Sequence, residues 1–143
     1  MRRIRILGLL LALTLTLSGC AAAAAATAAQ EEKNCQLYYL VRDLERAAGG
    51  DAIGSEVSTL PKESESPTET QAEDLMNALL SGPAGSGLQS PFPEGTRLLG
   101  VEVRGSHAKV DLSSAYRNLS GIDLTLADYC ITLTLTQLSA IRS

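Results

Sequence analysis

The sequence predicts a mixed domain of strands and helix, set behind a non-globular N-terminus. Three features carry that expectation. Residues 96–104 (TRLLGVEVR) and 107–112 (HAKVDL) alternate apolar and polar side chains on either side of Gly105-Ser106, the pattern of a hairpin. Residues 71–80 place Ala72, Leu75, Met76, Leu79 and Leu80 on one helical face and stop at Gly82-Pro83. Residues 35–41 (CQLYYLV) are rich in Tyr, Leu and Val, as strands are.

The chain opens MRRIRILGLLLALTLTLSGC. Arg2, Arg3 and Arg5 form a basic start, residues 6–17 are apolar without a charge, and Leu17-Ser18-Gly19-Cys20 follows. This is the three-part layout of a secretory signal, residues 1–19. Its ending resembles the lipobox of bacterial lipoproteins, which implies that the Cys20 thiol receives a diacylglycerol and that the chain is cut before it. Two acyl chains on one residue hold stably, because each buried CH₂ adds about 0.8 kcal/mol. The alternative is an uncleaved membrane helix, since residues 6–29 carry no charge and a span needs about 20 residues. Either way, the basic start stays inside and the rest lies outside the cytoplasm.

Residues 21–34 (AAAAAATAAQEEKN) have no apolar face to bury. With Cys20 they form a tether, residues 20–34, that reaches about 50 Å when extended at roughly 3.3–3.6 Å per residue. The folded part is expected over residues 35–143. Within it, residues 52–60 (AIGSEVSTL) are a second, weaker strand after the Gly49-Gly50-Asp51 turn signal, and 62–70 (KESESPTET) form a polar loop. Thr70 and Glu73 have capping-box spacing for the helix. Residues 84–95 read as loop. The last segment is ambiguous. Residues 131–136 (ITLTLT) alternate as a strand does, while Leu124, Ala127, Cys130, Ile131, Leu135 and Leu138 fit one helical face.

Charge excludes some functions. The chain has 12 Lys+Arg and 16 Asp+Glu, net −4; from residue 20 onward there are 9 basic and 16 acidic residues, giving −7. Phosphate-backbone binding needs a clustered basic surface, so nucleic acid is not an expected partner. One His, no Trp and one Phe leave little for a metal cage, a histidine-based triad or an aromatic ligand box.

No catalytic or metal set stands out. Ser113 and Ser114 follow a strand but lack a G-x-S-x-G frame, and the only base in the chain of that type, His107, belongs beside the hairpin turn. Asp111 has the position to cap the turn that follows it. Glu63, Glu65 and Glu69 lie in a Ser/Pro loop without the glycine of a calcium loop. Gly82, Gly85 and Gly87 do not make a dinucleotide motif. Tyr38 and Tyr39 alternate across a strand, so one faces the core and the other outward. No cofactor, metal or small-molecule substrate is expected. Cys35 and Cys130 remain beside the lipidated Cys20. The compartment permits a Cys35–Cys130 bridge, worth up to about 4–5 kcal/mol in the chain-entropy view; the alternative is two small buried hydrophobes.

Four motifs then occur in order: Leu79 to Pro83 (LLSGP), Pro93 to Thr96 (PEGT), Val110 to Ser113 (VDLS) and Thr134 to Gln137 (TLTQ). Together, over roughly residues 35–143 and behind a lipobox, they resemble the GerMN domain, a sporulation and spore-germination module of secreted and lipid-anchored proteins in spore-forming bacteria. The resemblance implies a small α+β fold, a sheet of two hairpins with two helices on one face, similar to ring-building motifs. It also implies that residues 123–138 are mainly helix. In that family a valine-rich strand closing with Asp-Gly follows the Thr-Leu-Thr-Gln helix. Here the sequence reaches Ile141-Arg142-Ser143 without it, so an open sheet edge able to pair with another chain is expected.

The expected function is that of a lipid-anchored protein on the outer face of the cell membrane. It associates with other envelope proteins, in sporulation or germination, and is not an enzyme. The sheet edge and the helix-free face are the expected contact surfaces. A small ligand-binding or hydrolytic envelope lipoprotein, or a truncated product, is the alternative; the hydrolytic form would draw on His107, Asp111 and Ser113.

Overall fold

A computed structural model describes residues 33–43, 51–60 and 67–143. The signal, Cys20 and most of the tether lie outside the described residues, as do Glu63, Glu65 and the glycine pair before Asp51. Five strands and two helices follow one another: β1 (Lys33–Val41), β2 (Ile53–Leu60), α1 (Thr68–Leu80), β3 (Leu88–Gln89), β4 (Leu98–Arg104), β5 (His107–Leu112) and α2 (Gly121–Leu135), with a short 3-10 helix (Ser114–Asn118) before α2. The mixed α+β class and both hairpins are as expected from the sequence. Among the described residues no helix is long and apolar enough to cross a membrane.

Residues alternate in β1 as a half-buried strand requires. Cys35, Leu37 and Tyr39 are buried, while Asn34 and Gln36 are exposed and Tyr38 is half-buried. Tyr39 is thus the core tyrosine and Tyr38 the outward one. β1 pairs antiparallel with β2, Leu40 opposite Ile53 and Lys33 opposite Leu60. Its strand begins two residues before Cys35, so Lys33 and Asn34 are part of the ladder rather than of the tether. Gly54 makes room here: a Cβ on it would come within 2.8 Å of Leu88 Cδ2, so a larger residue would push the Leu88 side chain aside.

α1 starts earlier than the capping-box reading put it. The turn opens at Pro67, whose carbonyl accepts from Gln71 N–H at 3.2 Å, and no side chain caps the end. Thr70 therefore lies inside the helix, because proline's fixed φ sets the first turn three residues upstream. Ala72, Leu75, Met76 and Leu79 form the buried face. Around it pack Leu37 and Tyr39 of β1, Leu135, Leu138 and Ile141, and the inward side chains Val101, Val103, Ala108, Val110 and Leu112 of the second hairpin.

The expectation of one sheet is corrected: the two hairpins form separate sheets, β2-β1-β3 and β4-β5. The reason is at β1's second edge. β3 takes it at Leu40 and Val41, Thr134 of α2 takes it at Tyr38, and Gln137 in the turn after α2 takes it at Gln36, which leaves no edge for β4 or β5. In the second hairpin Val101 faces Val110 and Val103 faces Ala108, and the register shifts once between Leu98 and Gly100. Gly105 turns it at φ 63°, a left-handed value that glycine takes without strain. Residues 141–143 run against β5: Ala108 N–H donates to Ser143 C=O at 2.8 Å and Arg142 N–H to Ser106 C=O at 2.9 Å. Beyond that contact the outer edge of β5 carries no strand among the described residues.

α2 settles the ambiguous segment as helix, with Ala127, Cys130, Thr134 and Leu135 buried.

Candidate association surface

The four sequence motifs turn out to be joints. Ser81 Oγ donates to Asn77 C=O at 2.8 Å at the end of α1. Thr96 Oγ1 donates to Pro93 C=O at 2.8 Å and closes the lead-in to β4. Ser113 locks that lead-in to the exit of β5: its Oγ accepts from Arg97 N–H at 3.0 Å and donates to Gly95 C=O at 3.2 Å. Asp111 does not cap the following turn; Ser113 occupies the cap position and Asp111 is exposed on β5. The physical reason is the strand's alternation, which turns Asp111 to the solvent face of β5.

The fourth motif seals a sheet edge. Gln36 N–H donates to Gln137 Oε1 at 2.9 Å, and Gln137 Nε2 donates to Gln36 C=O at 2.8 Å. One side-chain amide thus replaces a strand partner. Tyr38 N–H donates to the buried Thr134 Oγ1 at 3.3 Å. Sequence reasoning singled out the Thr-Leu-Thr-Gln step but gave it no task. A task is visible only when residues about 100 positions apart meet.

On the far side of the β1–β2 ladder from α1, Gln36 lies opposite Val57 and Tyr38 opposite Ser55. Here an open hollow of about 460 Å³ is lined by Asn34, Cys35, Gln36, Tyr38, Val57 and Gln137. Val57 is 68% exposed, and Tyr38 OH donates to Gln36 Oε1 at 3.2 Å. Among the described residues, α2 exposes Ile122, Tyr129 and Leu133, and β4 exposes Leu99.

The residues weighed for catalysis do not converge. His107 opens β5 and Ser113 follows its end, so about 20 Å of strand separates them at about 3.3 Å per residue. His107 is exposed and its Nδ1 is 2.5 Å from Ser143 Oγ, while Ser113 is held by backbone groups. Among the described residues no three of His, Cys, Asp and Glu lie together as a metal would need. No disulfide joins Cys35 and Cys130. Cys35 Sγ donates to Ser58 C=O at 3.3 Å, and burial pushes the Cys130 thiol up to about 11, so it stays protonated at neutral pH.

The buried phenol of Tyr39 and the half-buried phenol of Tyr116 set the alkaline limit. Burial, then the nearby Glu56 carboxylate, pushes Tyr39 from 10.0 up to about 12; its OH donates to Ala78 C=O at 3.4 Å. Burial and the 2.6 Å hydrogen bond to Asp128 also push Tyr116 up. A raised folded-state pKa favours the protonated phenol, so the full stability is present below pH 10. It falls as pH rises from about 10 through the folded values, because the unfolded chain releases these protons first. Tyr39 adds a slope of up to about 1.4 kcal/mol per pH unit in that window, and Tyr116, which solvent partly screens, adds less. Denaturant titrations at pH 9, 10 and 11 check this, with Tyr39→Phe expected to flatten the fall.

Comparison with known proteins agrees with this architecture. The family described as Germane: Sporulation and spore germination matches residues 36–143. The first GerMN domain of the sporulation protein GerM from Bacillus subtilis has a similar fold, with TM-score 0.53 and 22% identity over 76% of this chain and 77% of that one. A candidate lipoprotein from Clostridium perfringens gives TM-score 0.48 and 22% identity over 78% of this chain and 70% of that one. No curated protein matches by sequence.

Proposed function

The chain belongs to the Germane family of sporulation and spore germination, and from that premise we propose that it is a lipid-anchored, extracytoplasmic protein whose domain binds other proteins of the cell envelope. The observation that carries this reading is the exposed apolar surface of α2, where Ile122, Tyr129 and Leu133 stand open to water. Contiguous exposed apolar patches mark interaction sites. The domain's joints position that surface: Gln137 and Thr134 tie α2 to β1, and Ser113 fixes the second hairpin beneath α1.

The anchor rests on the first twenty residues. Basic start, apolar run and Leu17-Ser18-Gly19-Cys20 supply the signal, and two acyl chains on Cys20 supply retention. The acidic balance keeps the domain from settling on an anionic lipid surface, so the tether leaves it free to meet proteins.

Fractionation tests the anchor. The wild-type chain is expected in the membrane fraction with incorporated radiolabelled fatty acid, and Cys20→Ser is expected to lose the label and leave the membrane fraction or remain uncleaved. Unlabelled wild-type protein overturns the anchor. Crosslinking in sporulating cells tests association; recovery of monomer alone overturns it.

A further inference from the structure

In a chain with 20% charged residues, the outer face of the β1–β2 ladder carries none. Asn34, Gln36 and Tyr38 of β1 stand on it, opposite Thr59, Val57 and Ser55 of β2. Cross-strand partners share a face, so these six side chains form one neutral surface. Gln137, in the turn after α2, borders it. The hollow of about 460 Å³ lies within this surface, with the buried Cys35 beneath it. Small-molecule sites occupy roughly 300–1,000 Å³.

The lining groups are held in place before any ligand arrives. Gln137 makes three bonds: its Oε1 accepts from Gln36 N–H at 2.9 Å, and its Nε2 donates to Gln36 C=O at 2.8 Å and to Thr134 C=O at 2.6 Å. Gln36 Oε1 accepts from Tyr38 OH at 3.2 Å, which fixes the carboxamide beside the phenol ring. Among the described residues nothing in the protein takes up Gln36 Nε2 or the Asn34 carboxamide. Groups fixed in this way lose little freedom on binding. We propose that the hollow is a binding site for a neutral glycan bearing N-acetyl groups.

The chemistry of the lining selects that class. Phosphates and carboxylates are held by Arg and Lys, and neither lines the hollow. A sugar hydroxyl donates and accepts at once, and so do carboxamides and phenols. Asn34 and Gln36 therefore match a ring with several hydroxyls, and a carboxamide also matches the amide of an N-acetyl group. Tyr38 and the 68% exposed Val57 offer apolar surface to the ring's C–H face and to the acetyl methyl. An extended peptide recognises a sheet through the backbone of its edge, whereas this site is made of side chains standing off the sheet. From Asn34 to Tyr38 the strand runs about 13 Å at about 3.3 Å per residue, longer than one sugar ring, so an oligomer fits better than a monomer. The site lies on a different surface from the apolar side of α2 and does not depend on the association proposed above.

Saturation-transfer NMR on the full-length protein, in a detergent without a sugar headgroup, tests the site with the β-1,4-linked tetramer of N-acetylglucosamine. Wild-type protein is expected to transfer saturation to the acetyl methyl and ring protons, and to do so more strongly than to the tetramer of glucose. Tyr38→Ala is expected to lower the transfer at least fivefold. Gln36→Glu keeps the acceptor for Tyr38 OH but loses the amide donor, and is expected to lower it at least threefold. Gln36 is exposed, so this variant keeps the test decisive if Tyr38→Ala does not fold. Leu99→Ala, on the other sheet, is expected to leave the transfer unchanged. No transfer to the wild type, equal transfer to the glucose tetramer, or transfer undiminished in Gln36→Glu overturns the proposal. So does a neutral Ser/Thr-rich peptide that binds the wild type and displaces nothing when the glycan is silent.

Discussion

Leu75→Ala lowers the stability of the domain by about 2–5 kcal/mol, the range for emptying a fully buried leucine site. Leu75 is 1% exposed, in the middle of the α1 face that also presents Ala72, Met76 and Leu79. α1 is the hub of this fold, packing on β4, α2 and β1. A hole there is lined by side chains of both sheets and of α2, and these cannot all close in on it without breaking their own contacts. For a small domain of about 5–15 kcal/mol total stability this is a large share. Denaturant melts are expected to show a lower midpoint at unchanged slope. Leu99→Ala, on a side chain 63% exposed, is the control and is expected to stay within about 0.5 kcal/mol.

Thr134→Val is expected to cost about 1–3 kcal/mol even though the shape is preserved. Thr134 is fully buried and its Oγ1 accepts from Tyr38 N–H at 3.3 Å. Valine fills the volume and leaves that N–H without a partner away from water. Gln137→Ala acts differently. Gln36 is exposed, so water replaces the lost amide and the thermodynamic loss is about 0.5–1.5 kcal/mol. What changes is the edge: the Gln36 N–H and C=O become available to another strand. Hydrogen exchange at Gln36 is expected to accelerate in Gln137→Ala, while the amides of Leu37 and Tyr39, which point to β2, keep their protection. Thr134 and Gln137 act on one stretch of β1, so the double variant is expected to be non-additive.

The helix that carries these residues shows where a local pattern misleads. Residues 131–136 alternate Ile/Leu with Thr, and β-branched residues at period two favour a strand. In the fold two of the segment's threonines find a use: Thr136 Oγ1 donates to Thr132 C=O at 2.8 Å, as Thr125 Oγ1 does to Gly121 C=O at 3.1 Å earlier in the helix, and Thr134 accepts from β1. Hydroxyls bonded four residues back suit an α-helix despite weak propensity. The competing helical face, Ala127 to Leu138, prevails because it alone covers α1 and the edge of β1.

Alternation, turn residues and the Gly-Pro stop were enough, from the sequence by itself, to determine β1, β2, α1 and the second hairpin, because each depends on neighbours two to four positions away; they missed β3, whose Leu88–Gln89 lies in a stretch that reads as loop and becomes strand only by pairing with β1. The helix of α2 was implied by the family resemblance and not by its local pattern; tertiary structure alone decided that there are two sheets rather than one, which of Tyr38 and Tyr39 turns inward, and that Gln137 closes β1. Those outcomes depend on groups about 100 residues apart competing for the same backbone edge, and no local period records who wins.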